Sequence, residues 1–371
     1  LKNLLYLISK VTKNHHRPKD FFKKIEQILN IIKNEIKSLF SNLEIFIFFK
    51  HNFQMIFLLY QIKILSINQT IFNYIIGNYK LNNKYSFLLY PELKSFFNPD
   101  SAEHYKKKVS EIIEYEIYRQ LGENESYLCS LIRDDLVEEF ITYVNKTNVS
   151  LSGIKIKSSK FETNSFLQKN DPTMIEYAAF YGSIRIFQYL RLQQVDLTPT
   201  LWLYVIHSNN PEMIHLLEEN HVEPKDKTYE ECYNEAIKCH HNAIANYIKE
   251  CLMCPKDEKT TQKCIFNSYN YSFININSFD KQILYYLIES DYVNLVKIYL
   301  SGKFNELNEI INNDFFYELK HLIITSCSLV LKKYILLKSV SICSSVTQIG
   351  NSAFGGCTSL KQISIPSSVT Q

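Results

Sequence analysis

Between Pro18 and Phe40 the chain reads PKDFFKKIEQILNIIKNEIKSLF, and its apolar positions Phe21, Ile25, Ile28, Ile32, Ile36 and Leu39 fall at steps of three and four with lysines between them. That spacing predicts one amphipathic helix. A second apolar region runs from Leu43 to Ile76 and ends near Gly77. The two prolines of YPELKSFFNPD, Tyr90 to Asp100, then mark a break before a further helix, Ala102 to Leu121. Residues 1–122 therefore form an N-terminal helical region. Its most apolar runs, IFIFF (Ile45 to Phe49) and MIFLLY (Met55 to Tyr60), are cut by Lys50, His51 and Lys63. A membrane span needs about 20 mostly apolar residues in a row, so these runs are buried helix faces.

From about Glu125 the pattern changes to short helix pairs. In TMIEYAAFYGSIRIFQYL, Thr173 to Leu190, the small residues Ala178 and Ala179 let helices approach closely. Gly182 makes the turn, and Ile186, Phe187 and Leu190 form the apolar stripe of the second helix. TLWLYVIHSNNPEMIHLL, Thr200 to Leu217, repeats this plan 27 residues later, with Asn209 in the turn and Met213, Ile214 and Leu217 on the stripe. ECYNEAIKCHHNAIANYI, Glu231 to Ile248, repeats it 31 residues further on. QILYYLIESDYVNLVKIY (Gln282 to Tyr299) is another copy, and SYLCSLIRDDLVEEFITYV (Ser126 to Val144) is a degenerate first one. The polar insertions Lys146 to Ser165 and Pro255 to Cys264 make the spacing irregular. A hairpin of this size cannot bury its own apolar face and needs stacked neighbours.

The C-terminus has a different period. LKSVSICSSVTQ (Leu337 to Gln348) and LKQISIPSSVTQ (Leu360 to Gln371) agree at nine of twelve positions with an offset of 23 residues. Each copy carries L-x-x-V/I-x-I, a short strand with alternate side chains facing inward, and Pro366 closes the second where a ladder donor is dispensable. Between them Ile349, Ala353, Phe354 and Cys357 face the same interior, with Gly355 and Gly356 in the return turn. Each unit reads as one coil of a solenoid. An array of this kind needs about three coils to close its core, so it is expected to continue past Gln371.

The hairpin stretch resembles the ankyrin repeat through Thr173, Ala178, Ala179 and Gly182 in one copy, Glu212 in the next and His241 at the turn of the third; TMIE, TLWL and ECYN replace the T-P-L-H tetrad. It is similar to a divergent ankyrin-like domain expanded in protist parasites, where a second repeat often follows. That second repeat is here similar to the BspA-like leucine-rich repeat, carried by Ile349, Gly350, Ala353, Phe354, Cys357, Leu360, Ile363, Ile365, Pro366, Ser368 and Val369. The expected fold class is mainly α. An N-terminal helical region (1–122) precedes an ankyrin-like α-solenoid of helical hairpins with insertions (123–336) and the start of a leucine-rich-repeat β-solenoid (337–371). The resemblance implies protein binding through loops and first helices, which singles out Gln194, Asp196, Thr198, Lys225, Asp226, Lys227 and Tyr229. It also leaves open a surface-associated adhesion protein acting through the leucine-rich repeats.

Composition narrows the chemistry. The net charge is only +3, and arginine is confined to Arg17, Arg119, Arg133, Arg185 and Arg191. Bidentate recognition of phosphates and guanines leans on the arginine fork, so no nucleic-acid partner is expected. Nine cysteines without dense regular spacing suit reduced thiols in a cytoplasmic protein. Cys239, His240, His241, Cys251, Cys254 and Cys264 offer metal-ligand types, and C-x-x-C at 251–254 could hold two corners of a zinc site. However, no second C-x-x-C follows, so structural thiols are the simpler reading and a zinc-binding protein the alternative. His207, His215 and His221 lie in or beside one hairpin without a nucleophile motif, and no phosphate loop or dinucleotide fingerprint is present. The expectation is a non-enzyme with no cofactor, and with a protein ligand whose identity the residues do not specify.

Overall fold

Asparagine, abundant in this chain, starts many of its helices. Asn52, Asn68, Asn78 and Asn98 stand in extended backbone ahead of a helix, and each side-chain oxygen accepts a hydrogen bond from the N–H three residues on. Each satisfies one of the donors that a helix start leaves unpaired. Ser41 and Glu44 close a capping box. The computed structural model describes residues 1–14, 19–253, 258–273, 339–341, 361–365 and 367. These are mainly helical, and the chain divides into two units: Leu1–Asp257 with Ser268–Ser272, and Glu258–Asn267 with Phe273–Gln371.

The first unit begins with ten helices: α1 (Lys2–Asn14), α2 (Lys19–Ile31), α3 (Lys33–Leu39), α4 (Asn42–Phe49), α5 (Phe53–Gln61), α6 (Gln69–Ile76), α7 (Tyr79–Leu88), α8 (Tyr90–Leu93), α9 (Pro99–Ser110) and α10 (Tyr115–Leu121). Their shared core includes Leu5, Leu29, Ile36, Phe46, Phe49, Phe53, Tyr85 and Leu88. The helix expected over Pro18 to Phe40 bends at Ile32 (φ −98°, ψ 15°). There Lys33 Nζ reaches the carbonyl of Ile62 (2.6 Å), and α3 turns Ile36 inward while Ile28 and Leu39 stay exposed. The helix expected over Ala102 to Leu121 likewise splits into α9 and α10. Ile113 stands fully exposed at the break, and Tyr115 enters the core with its hydroxyl on the carbonyl of Phe87. Arg119 of α10 is buried, paired with Glu92 (2.7 Å) and Glu116 (2.6 Å), its guanidinium 4.6 Å from the Phe57 ring.

Four helical hairpins follow among the described residues: α11 (Tyr127–Arg133) with α12 (Val137–Thr147), α13 (Met174–Tyr181) with α14 (Ile184–Leu192), α15 (Leu201–Ser208) with α16 (Pro211–Glu219), and α17 (Glu230–Lys238) with α18 (Asn242–Tyr247), which continues into a π-helical turn, Ile248–Leu252. The first helices pack in order, α11 on α13, α13 on α15, α15 on α17. The same device closes every hairpin: a residue in left-handed backbone at Asp135 (φ 51°), Gly182 (69°), Asn209 (51°) and His240 (57°). Gly182, Asn209 and His240 stand 27 and 31 residues apart, the spacings read from the sequence. The loops after α14 and α16 match as well, with Gln194 and His221 left-handed and Val195 and Val222 buried behind them.

The insertion between the first two hairpins is a strap. Phe161 is buried against Phe87, Tyr115 and Tyr118, and the backbone and hydroxyl of Thr163 both donate to the carbonyl of Gly122. Five residues on from Phe161, Phe166 packs on Phe180, Tyr204 and His207.

The helix α19 (Glu258–Ser268) belongs to the second unit up to Asn267, and in that unit the strands β1 (Ser339–Ser341) and β2 (Gln362–Ser364) pair in parallel, Ser339 opposite Gln362 and Ser341 opposite Ser364. The hairpin expected over Gln282 to Tyr299, and the expected inward residues Ile349, Ala353, Phe354 and Cys357, lie outside the described residues, whereas Ile363 and Ile365, expected to face inward from the second strand, are exposed.

Candidate functional site

Consecutive hairpins stacked in register bring equivalent loops to one edge of the stack. Two such loops, 193–200 and 220–229, carry all seven residues singled out from the sequence. Gln194 and Asp196 are exposed in the first. Thr198 is half-buried: its hydroxyl lies 2.7 Å from that of Thr200 and 3.4 Å from Glu176 Oε1. In the second loop Lys225, Asp226 and Lys227 are exposed. Asp226 accepts from the Thr228 hydroxyl (2.7 Å) and from the backbone of Glu231 (3.3 Å), which steadies the start of α17. Lys227 pairs with Glu223 at 3.3 Å, and Tyr229 stands edge-on to Trp202 with centroids 5.0 Å apart. Thr198, Asp226 and Tyr229 thus shape the loops, whereas Gln194, Asp196 and Lys225 face solvent. Trp202 is fully buried, its indole N–H donating to the carbonyl of Val222 (2.6 Å).

Glu176 ties the first of these loops to the stack. Its carboxylate takes the Thr173 N–H (2.8 Å) and hydroxyl (3.0 Å) within one hairpin and the Thr198 and Thr200 hydroxyls from the loop before the next. The sequence carried a signal for half of this arrangement: TMIE spells the T-x-x-E of a capping box, which Thr173 and Glu176 form.

The cysteine and histidine cluster disperses. Cys251 is exposed, Cys264 belongs to the other unit, and Cys254 lies outside the described residues. His240 faces the carbonyl of Ser268 (2.8 Å) and His241 that of Ile206 (2.8 Å). Burial brings the His241 imidazole down to about 4, against the hydrogen bond to Ile206, so it stays neutral. Cys239 instead lies against His207, which in turn meets Glu235. Burial would raise the Glu235 carboxyl, but the His207 hydrogen bond and charge, with Lys238, hold it at about 2. Among the described residues, Cys129, Cys232 and Cys251 carry free thiols. Among the described residues no helix is long and apolar enough to cross a membrane.

A family model described as BspA type leucine rich repeat region (6 copies) matches residues 327–371. Over this stretch the chain is similar to that family. Both strands lie inside the match, and their pairing joins positions 23 residues apart, the period of the sequence repeat. No curated protein and no solved structure matches the chain. The match begins at Cys327, ten residues ahead of the Leu337 to Gln348 copy of the sequence repeat.

Proposed function

We propose that this chain is a non-enzymatic adaptor in which an ankyrin-like stack and a leucine-rich-repeat solenoid each present a surface to protein ligands. The observation that carries it is the leucine-rich-repeat match together with parallel strand pairing at the repeat's own offset, since repeat arrays of this kind bind by extended surface. The hairpin stack supports the first surface: its turns share one left-handed device, and its loops leave Gln194, Asp196 and Lys225 facing solvent. Two weak sites in one chain gain from effective concentration when both engage. Scarce arginine supports a protein partner over nucleic acid, and the free thiols of Cys129, Cys232 and Cys251 support a cytoplasmic setting.

The test is affinity capture by crosslinking with the full chain and with a triple variant, Asp196→Lys, Lys225→Glu and Gln194→Ala. The expected outcome is loss of a defined set of captured proteins by the variant at an unchanged thermal midpoint. An identical set from both proteins rejects the rim as a recognition surface. The leucine-rich match also supports a second reading, a cell-surface adhesion protein. Protease treatment of intact cells separates the two, because only a surface-exposed chain is cleaved.

A further inference from the structure

We propose that His207, Glu235 and Cys239 form a site for one zinc ion that clamps the third hairpin to the fourth. His207 lies in the last turn of α15, and Glu235 of α17 and Cys239 at that helix's C-cap stand four residues apart, a spacing that puts both on one helix face. Because α15 and α17 stack, that face meets His207. One donor atom from each residue lies within 4.8 Å of the others. Imidazole nitrogen, carboxylate oxygen and thiolate sulfur are the three donor types that zinc takes in proteins.

Zinc bonds of about 2.0–2.3 Å in tetrahedral geometry set donors about 3.3–3.6 Å apart. His207 Nε2 is 3.1 Å from Glu235 Oε1, whereas Cys239 Sγ lies nearer the other ring nitrogen, 3.5 Å from Nδ1 and 3.9 Å from Nε2. Closing the trio on one ion therefore takes a rotation of the Cys239 side chain toward the Nε2 edge of the ring. The imidazole is held in place by the rings of Phe166 (centroids 4.3 Å) and Phe180 (5.0 Å), which also stack on each other. Lys238 holds the other Glu235 oxygen at 2.9 Å, which leaves Oε1 toward the ring. On binding, the Cys239 S–H gives its proton to solvent and the thiolate sulfur bonds the ion, and any proton on the ligating His207 nitrogen leaves with it, so that the imidazole binds neutral. Thiolate and carboxylate together cancel the dication's charge, so the filled site is neutral where it is buried. His207 and Cys239 are 2% and 0% exposed; Glu235, with its side chain 15% exposed, marks the route in and the side on which water completes the coordination. Cys251 and Cys264 play no part.

The experiment uses the full chain, stripped with a chelator and then loaded with zinc or cobalt(II). The expected results are one bound zinc per chain, a rise in Tm of about 5 °C or more at saturating zinc, and thiolate-to-cobalt charge-transfer absorption with tetrahedral ligand-field bands. Cys239→Ser abolishes the charge-transfer band, and Cys251→Ser and Cys264→Ser retain it. X-ray absorption at the zinc edge of the wild-type chain needs no variant to fold: one sulfur neighbour at about 2.3 Å among nitrogen and oxygen neighbours at about 2.0 Å is expected. A chain that stays metal-free at saturating zinc overturns the proposal and leaves the trio as a buried histidine–glutamate pair beside a thiol. Two or more sulfur neighbours, or a band lost in the Cys251 or Cys264 variant, overturn it by placing the metal elsewhere.

Discussion

A buried carboxylate that accepts four hydrogen bonds has few tolerable replacements, and Glu176 is one. In Glu176→Gln one oxygen becomes an amide that can only donate, facing the Thr173 or threonine-loop donors it used to satisfy. Charge-assisted bonds of this kind are each worth about 1.5–3 kcal/mol. We expect a loss of roughly 2–3 kcal/mol, seen as a lower urea midpoint at unchanged slope. Thiol reactivity follows burial in the same way. Burial pushes the Cys129 thiol up to about 11, despite nearby Arg133, and pushes Cys232 higher still. The thiolate is the reactive form. Iodoacetamide at pH 8 should therefore label Cys251 in the native chain and reach Cys129 and Cys232 only after denaturation, as read by peptide mass spectrometry.

At the scale of the element, the hairpin turn decides the period. Left-handed backbone costs most residues about 1–2 kcal/mol, and glycine and asparagine least. A Cβ at Gly182 would also sit 3.4 Å from that of Ser208 in the next turn. Gly182→Ala should lower stability by roughly 1–2 kcal/mol, whereas Asn209→Gly, which meets the same dihedral without a Cβ, should stay within about 0.5 kcal/mol of wild type. Thermal melts of the two variants distinguish these outcomes. The turn residues made the 27- and 31-residue spacings legible in the sequence, because conformational demand there is local. The helix breaks at Ile32 and at residues 111–114 were not legible. No proline or glycine marks either, and each exists because a distant partner, the carbonyl of Ile62 or of Phe87, fixes a side chain beside the bend. The asparagines of N-x-S/T triplets also acquire their meaning only from the fold: Asn124 is buried with its amide on the carbonyl of Lys157, and Asn270 with its amide on that of Ile237.

At the scale of the molecule, chemistry adjacent in sequence is not chemistry adjacent in space. Cys239, His240 and His241 follow one another, but successive residues at a helix end point in different directions, and it is Cys239 whose sulfur lies against His207 across the stack. His207 and Glu235, 28 residues apart, are joined by hairpin packing that no local motif announces. The strap has the same character. It reads as a polar insertion, yet Phe161 sits in the N-terminal core while Phe166 packs on the second and third hairpins, so the strap is anchored in both regions of the first unit. Coupling of this kind makes unfolding cooperative, and the chain holds its own reporter: the single tryptophan, Trp202, buried in the third hairpin. Leu88→Ala cuts a cavity in the N-terminal core, at a cost of about 2–5 kcal/mol. If the strap couples the regions, Trp202 fluorescence and far-UV circular dichroism should report one urea transition, and the variant should lower both midpoints equally. A Trp202 midpoint that stays at its wild-type value while the circular dichroism midpoint falls would show the helices before residue 122 unfolding on their own, with the strap as a passive linker.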